Sequence, residues 1–546
     1  MTASASRPGP ALRAPAPPSG ASPSGVPAQA ASTGVEGWPH AALLSLSDKT
    51  GAAEFAALLV KGGTRIVASG GTAAHLRETG VPVTPVEDWT GSAELLGGRV
   101  KTLHPNVHAP ILARRGAPED MATLAARGLL PLDLVAVTLY PFEERGRSLD
   151  DAGMVEEIDI GCVALLRAAA KNHDGVIVLH DSSQYAEVAD ALGRGVTPAD
   201  RHRWALSAFA HTARYDGAIA GELARRMAAP DEPPLVQARV LERARTLRYG
   251  ENPHQPAALY SLAGRSPSGP ESVRENRELS YNNLLDLEAA VTLAGRFERP
   301  ACVIVKHHQP CGAACAGTLA EAYALAYACD PLSAFGGIVA VNRALDGATA
   351  AAIGKQFAEC VAAPEFTREA DAALSGRKNL RLVRLAAADL EAGDPWSWRR
   401  VGPWVLLERE GGAPPPPWRT VTRRVPGAAE WTALQFAWEV VAAARSNAVA
   451  LAHGDALVGL GSGQTSRVDA VDVALMKARR AGHDPVGAAL ASDGFFPFPD
   501  GVAHAAAAGI RAIVQPGGSV KDAEVVAEAD RLGLAMVFTD RRVFRH

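Results

Sequence analysis

Five stretches of this chain hold cations, hydroxyls or glycines of the kinds that anion binding and proton transfer require. An apolar run, Ala41 to Ser45, leads into Ser45-Leu46-Ser47-Asp48-Lys49-Thr50-Gly51 and then a helix-like Ala52 to Leu59. A second run, Arg65 to Ser69, leads into Ser69-Gly70-Gly71-Thr72 and a helix-like Ala73 to Thr79. In both places small residues precede a helix N-terminus, where free N–H groups and the helix dipole favour a phosphate. Either alone reads as a tight turn with a Ser or Thr cap; together they favour a bound nucleotide phosphate. Arg99-Val100-Lys101-Thr102-Leu103-His104-Pro105 can grip an anion beside a proton-transfer residue, and alone it is also a basic turn. Asp159-Ile160-Gly161-Cys162 precedes a helical Ala164 to Lys171, with Asp159 near the helix start and Lys171 about two turns on, behind apolar residues. Only nine of the 55 basic residues are lysines, so a lysine at a motif position stands out against an arginine background, although Lys61, Lys355, Lys378, Lys477 and Lys521 read as ordinary surface residues. The fifth stretch, Lys306-His307-His308-Gln309-Pro310-Cys311-Gly312, follows the apolar Ala301 to Val305. A like charge beside an imidazole favours its neutral, basic form, which suits deprotonation of a weakly nucleophilic amine.

Pro310-Cys311 followed by Cys315 raises a zinc deaminase as a rival. That chemistry needs a His-x-Glu and a Cys-x-x-Cys, and this chain has neither, so no metal is expected. The loop Leu247-Arg248-Tyr249-Gly250-Glu251-Asn252-Pro253-His254-Gln255 is dense in hydrogen-bonding groups. Ser446-Asn447, the Gly-rich Gly461 to Asp469 with Arg467, the aromatic Ser492 to Phe498 and the small-residue turn Gln515-Pro516-Gly517-Gly518-Ser519 add amides, a cation and ring faces. Without its polar neighbours the cluster Phe495 to Phe498 would read as core packing. With them these parts suit a flat heteroaromatic ring and a phosphate.

The elements that must position these residues are legible in outline. At 546 residues the chain is too long for one core. With 47% hydrophobic and 21% charged residues it reads as a soluble globular protein, and a net charge of −4 gives no general attraction to nucleic acid or membrane. Six scattered cysteines form no disulfide framework and fit a reducing cytoplasm. Residues 1 to 38 are Ala, Pro, Ser and Gly-rich and are expected to be a disordered extension. From Ala41 short apolar runs, including Leu134 to Leu139 and Val176 to Leu179, alternate with helical stretches. That implies parallel βαβ units, ending in a helix over Ser207 to Met227. The Pro-rich, acidic stretch 229 to 234 reads as a linker. The partition is therefore 39–234 and 235–546, the second part forming two α/β lobes with a break near 410–420, where four prolines occur. Residues 386 to 420 are expected to be peripheral, and no short-period repeat is evident.

Several of these stretches carry a family resemblance. Ser45 to Gly51, Ser69 to Thr72, Arg99 to Pro105, Leu139-Tyr140-Pro141-Phe142 and Leu165 to His173 resemble the inosine monophosphate (IMP) cyclohydrolase domain of the bifunctional purine-biosynthesis family. Lys306 to Gly312, Leu279-Ser280-Tyr281-Asn282-Asn283, Asp330 to Ala340 and the ending Arg542 to His546 resemble the family's aminoimidazolecarboxamide ribotide (AICAR) transformylase domain. The resemblance runs in the family's order from Ala41 to His546. It implies an α/β chain with an N-terminal methylglyoxal-synthase-like domain followed by two cytidine-deaminase-like lobes without the metal. It also implies formyl transfer from 10-formyltetrahydrofolate to AICAR, closure of the formylated product FAICAR to IMP, no bound cofactor, and a homodimer.

The resemblance further implies that Ser45, Ser47, Lys49, Ser69, Gly70, Gly71, Thr72, Arg99, Lys101 and Thr102 bind the ribotide. Lys171 becomes the proton carrier of cyclisation, with Lys101, Asp159 and Tyr140 beside it. For formyl transfer His307 is the general base and Lys306 its electrostatic partner. Arg248, Tyr249, Asn447, Arg467, Phe495, Ser519 and Arg542 are substrate or folate contacts. The chain departs from the family's pattern at Thr138 and Gln309, each in place of Asn, at Cys162 in place of Gly, and at Pro499 in place of Arg. Two alternatives stay open on the sequence: a transformylase with impaired cyclisation, and a non-catalytic ribotide sensor.

Overall fold

The computed structural model describes residues 37–229, 232–262, 269–270, 272–274, 278–390, 396–411 and 414–546. Almost all of the expected N-terminal extension, and Pro230 and Asp231 of the expected linker, lie outside the described residues. The chain divides into two compact units between Val240 and Leu241.

In the first unit β1 (Ala41–Leu46) is buried at all six positions, as a central strand covered on both faces must be. It pairs in parallel with β2 (Arg65–Ala68) on one side and β4 (Leu134–Thr138) on the other. β3 (Thr84–Pro85) and β5 (Ile177–Leu179) complete a five-stranded sheet ordered β3-β2-β1-β4-β5, every pairing parallel. Helices α1 (Ala52–Lys61) and α2 (Gly70–Glu78) follow β1 and β2 at once. The four longer strands fall where the apolar runs predict them. The last helix is longer than expected, Pro198–Met227, because Thr197 and Asp200 form a capping box ahead of Pro198 and extend it through the polar Asp200 to Arg203.

The second unit opens with a two-stranded ribbon of β6 (Leu241–Leu247) and β7 (Ala257–Leu262). Its main sheet has eleven strands. One half holds β8 (Ala301–Lys306), β9 (Gln309–Cys315), β10 (Gly337–Val341), β11 (Ala358–Ala363) and β12 (Arg381–Arg384). β13 (Trp396–Val401) and β14 (Trp404–Arg409) stand apart as a second ribbon, carrying much of the segment 386 to 420. The other half of the sheet holds β15 (Arg419–Thr420), β16 (Val449–His453), β17 (Ala456–Gly461), β18 (Ala489–Ser492), β19 (Ala512–Gln515) and β20 (Ala535–Phe538). The order is β12-β11-β10-β8-β9-β17-β16-β18-β19-β20-β15.

Read outward from the β9–β17 seam, both halves run hairpin, antiparallel strand, then two parallel strands. A helix precedes each hairpin, Tyr281–Gly295 and Ala428–Ala443, and another follows it, Leu319–Cys329 and Arg467–Arg480. The chain thus contains a structural repeat that the sequence does not display, since topology is preserved by burial pattern and not by residue identity. The two halves share one sheet within a single compact unit. On one face the two preceding helices bury a common core, with Phe297 and Phe436 stacked 5.2 Å apart, while on the other face each half has a core of its own. No helix among the described residues is long and apolar enough to cross a membrane, and all six cysteines are free.

One polar feature of the first unit sets its acid stability. His180 and His211 stack with ring centroids 4.5 Å apart, His180 Nε2 lies 2.7 Å from Ser207 Oγ, and Arg214 approaches His211 Nδ1 at 3.1 Å. Burial, then the charge of His180 and that of Arg214, push His211 down to about 3, against the opposing pull of Asp181. Burial likewise lowers His180, with Asp181 opposing and Arg214 reinforcing. Both rings are neutral in the fold, whereas in the unfolded chain they take up protons below about pH 6.5. Their contribution is complete above that pH and is lost as pH falls toward 3. The melting temperature of the first unit should therefore drop between pH 6.5 and 4, and His211→Gln should flatten that drop, as read by calorimetry across the range.

Candidate active sites

In the first unit the predicted ribotide residues gather at the C-terminal edge of the parallel sheet, where open α/β folds bind ligands. Ser45, at the end of β1, places Oγ 2.8 Å from Ser69 Oγ at the start of α2 and 3.4 Å from Cys162 Sγ. Lys101 reaches the same place: its Nζ lies 2.8 Å from the point a Cβ on Gly70 would occupy, and it pairs with Glu94 at 2.7 Å. A Cβ on Gly161 would stand 2.9 Å from Thr102 Oγ1, so that glycine is required by the close approach of the two loops. Asp159 accepts the Cys162 N–H at 2.9 Å through Oδ1, and its own N–H is held by the Tyr215 hydroxyl at 2.8 Å. Its Oδ2 is buried and has no partner among the described residues. An unpaired buried carboxylate oxygen at a ligand edge is poised to take a proton or a donor.

Three assignments change in this geometry. Thr72 is buried, and its hydroxyl accepts the Leu46 N–H at 2.9 Å, so it ties α2 to β1 and is not turned to a ligand. Arg99 pairs with Glu156 on the surface, each side chain 62% exposed. Lys171 is exposed in the last turn of the helix Gly161–Lys171. That helix begins at the site and runs away from it, which puts Lys171 roughly 15 Å along the axis from Gly161 at 1.5 Å per residue. Its apolar neighbours Leu165, Leu166 and Ala168 to Ala170 face the core, and the lysine stands beyond them as the cation that a helix C-terminus favours. Tyr140 lies just past β4, about half exposed, and Ser47 and Lys49 lie in the loop before α1.

In the second unit Lys306, His307, His308 and Gln309 form the turn of the β8–β9 hairpin, with Lys306 opposite Gln309. Both histidines have left-handed backbones, φ 52° and 62°. These two residues are the turn itself, so their side chains do not alternate as they would along a strand. Asp286 holds them there by accepting both N–H groups, and burial raises its own carboxyl. His307 is exposed and His308 half-buried. Burial, with Arg545 and Arg445 next, lowers His308, whose Nδ1 lies 3.1 Å from the Arg445 guanidinium. Lys306 Nζ donates to the Phe335 carbonyl, and the exposed Phe335 ring packs 5.2 Å from Phe357. Phe335 carries no role in the motifs above, and its sequence signal is an aromatic beside the two glycines Gly336 and Gly337.

The segment Arg445 to Asn447 joins this turn to the rest of the predicted site. Arg445 N–H donates to Gln309 Oε1 at 3.0 Å, and Asn447 accepts from Arg467 Nη2 at 2.7 Å. Arg467 is not the free phosphate-binding cation the sequence suggested: it is 8% exposed and paired with Asp493, which is 0% exposed. The ion pair draws the segment inward, because a buried carboxylate demands partners. Asp493 also accepts from Ser446 Oγ at 2.6 Å, and Ser446 accepts the Arg545 N–H at 3.1 Å, so the C-terminal residues are fastened to the same place. Arg542 stacks on Phe544 at 4.4 Å, and Phe495 is 38% exposed two residues after Asp493. Ser519 is occupied locally, its N–H on Asp522 and its hydroxyl on the Lys521 N–H. Arg248 lies over the Tyr249 ring at 4.9 Å in an exposed loop whose Glu251 carbonyl meets Asn282, one helical turn before Asp286.

Known families match both units. The family described as the AICARFT/IMPCHase bienzyme matches residues 169–477, and the MGS-like domain matches residues 51–164. The bifunctional purine biosynthesis protein PurH of Chloroflexus aurantiacus is 49% identical over 513 residues, 92% of this chain and 98% of that protein. PurH of Synechococcus elongatus is 47% identical over 93% of this chain and 100% of its own length, and PurH of Persephonella marina 46% over 92% and 99%. The chain belongs to the AICARFT/IMPCHase bienzyme family. Its first unit carries the family's MGS-like domain.

Within this bienzyme Thr138 is less a substitute ligand contact than a loop anchor. Its Oγ1 accepts the N–H of Ser47 at 2.7 Å and of Asp48 at 3.0 Å. The isosteric Thr138→Val removes the acceptor of both bonds and should raise the KM of cyclisation roughly thirtyfold, at about 1 kcal/mol per bond, while Thr138→Ser stays near wild type. The positions of the two lysines give a sharper contrast. Lys101→Ala should lower cyclisation at least about tenfold more than Lys171→Ala, since a charge-assisted contact is lost only at the first; steady-state rates with FAICAR measure both.

Proposed function

We propose that this chain carries out the last two steps of purine nucleotide assembly, formyl transfer in its second unit and ring closure in its first. The observation that carries the reading is the β8–β9 turn. A lysine held by the Phe335 carbonyl and a histidine held through its N–H by the half-buried Asp286 stand side by side, next to an exposed aromatic pair that offers a face to a flat pterin. As the 5-amino group of AICAR attacks the formyl carbon of 10-formyltetrahydrofolate, His307 takes the amine proton and Lys306 stabilises the charge gathering on the formyl oxygen. Tetrahydrofolate then leaves. Asn447, Phe495, Arg542, Arg248 and Tyr249 border the substrates, and Arg467 acts through Asn447.

In the first unit the ribotide phosphate lies at the open start of α2 beside Lys101. The carboxamide nitrogen of FAICAR attacks the formyl carbon, the ring closes, and water is lost to give IMP. Asp159, with its unpaired Oδ2, and Lys101 are the groups placed to move protons and hold oxyanion charge; Tyr140 borders the ring. No bound cofactor enters this scheme, with folate acting as cosubstrate. A cytoplasmic homodimer completes the reading, supported by the family resemblance and checked by sedimentation.

Incubating the enzyme with AICAR and 10-formyltetrahydrofolate should produce IMP, followed by its absorbance. His307→Asn should abolish formyl transfer and leave closure of supplied FAICAR intact. Asparagine tolerates the left-handed backbone that alanine does not, so the variant removes the imidazole without straining the turn. Near-normal transfer by this variant would remove His307 from the mechanism.

A further inference from the structure

Ser69 occupies the N-cap position of α2 with φ −81° and ψ 145°, the backbone from which a serine hydroxyl ordinarily accepts an N–H of the first turn. It forms no such bond. Its Oγ is engaged by Ser45 Oγ at 2.8 Å, and Ser45, only 7% exposed, is backed on its other side by Cys162 Sγ at 3.4 Å. The backbone does not replace the missing cap. Thr72 and Ala73 N–H groups reach the Ser69 carbonyl at 2.9 and 3.0 Å, whereas the amides of Gly70 and Gly71 have no hydrogen bond among the described residues. Gly71 is exposed with open space where a Cβ would be, and Lys101 Nζ lies against Gly70. Two unsatisfied amides lie beside an ammonium, itself paired with Glu94, at the start of a helix whose own cap residue is turned aside.

We propose that Ser45 is a positioning residue that holds the Ser69 hydroxyl off α2 and so keeps the helix N-terminus open for the ribotide phosphate. This rests on the reading of the first unit as the cyclisation site. It replaces the expected direct contact of Ser45 with the ligand. Cys162 belongs to the same device. Burial first, and the nearby Asp159 carboxylate second, push its thiol up to about 12, so it stays uncharged and packs against Ser45 without competing for the phosphate. The departure from glycine at 162 thereby closes the space into which Ser45 could turn away from Ser69.

A double-mutant cycle in the full-length enzyme tests this, with the KM for FAICAR and the inhibition constant of inorganic phosphate against cyclisation as readouts. In Ser45→Ala the Ser69 hydroxyl is released to cap α2, and both constants should rise roughly tenfold, the worth of a lost charge-assisted bond. The melting temperature should not fall, because the helix gains a cap. Adding Ser69→Ala removes the hydroxyl that closes the site. The double variant should therefore bind more tightly than Ser45→Ala alone, to within about twofold of Ser69→Ala, a sign of coupling that independent contacts do not give. Losses that simply add would make Ser45 a direct ligand contact and overturn the proposal, as would a wild-type KM in Ser45→Ala. Formyl transfer in the same preparations reports that each variant is folded. Failure of the wild-type enzyme to cyclise FAICAR would overturn the reading of the first unit itself. Wild-type cyclisation with an unaffected Ser45→Ala would overturn only the serine's role.

Discussion

The parallel pairing of β1 with both β2 and β4 is the constraint on which the first site depends. Three strands running the same way must end at one edge, so the loops after Leu46, Ala68 and Thr138 converge whatever their sequences. The register then decides who meets whom: Leu44 lies opposite Ala68 and Leu46 opposite Thr138, which brings Ser45 to Ser69 and the Ser47 amide to the Thr138 hydroxyl. A one-residue slip would turn each of these side chains to the other face of the sheet. The glycine at 161 follows from the same convergence, since a Cβ there would stand 2.9 Å from Thr102 Oγ1, and a Cβ on Gly70 would displace the Lys101 ammonium.

The second unit meets the same problem with two acids, Asp286 half-buried and Asp493 wholly buried. Asp286 fixes the β8–β9 turn by its N–H groups, and Asp493 gathers Arg467, Ser446 and, through Ser446, the C-terminal residues. A carboxylate removed from water demands every available donor, so each acid orders the chain around it more firmly than an apolar residue could. Arg467 lies at the start of the helix after the second hairpin, and the repeated hairpin places the β8–β9 and β16–β17 turns at equivalent positions in the two halves. Only the first of them carries the lysine and histidine pair.

Much of this was legible in the residues. The four longer strands of the first sheet, the small-residue turns after β1 and β2 and the Lys306-His307 pair all stand where apolar runs and residue types put them, because local burial and turn chemistry are written locally. What was not legible depends on partners distant in sequence. Lys171 looked catalytic from its neighbours, yet helix direction carries it away. Arg467 looked like a phosphate ligand until Asp493, 26 residues on, claimed it. Thr138 looked like a shortened amide and is instead the acceptor for a loop some ninety residues earlier. The repeat in the second unit escaped notice since it lies in pairing order alone.

That pairing order also has a bearing on how the chain is made. The first unit is closed by residues up to Val240, so it can complete its sheet while the rest is still being synthesised. The second cannot. Among the described residues β15, Arg419–Thr420, pairs only with β20, whose residues emerge more than a hundred positions later, and β20 itself is the neighbour that covers β19. Until the last strand leaves the ribosome, β19 presents an unpaired apolar edge, the kind of surface that recruits other strands. A ribosome stalled near position 530 would thus release a polypeptide with a finished first unit joined to an open, aggregation-prone half-sheet.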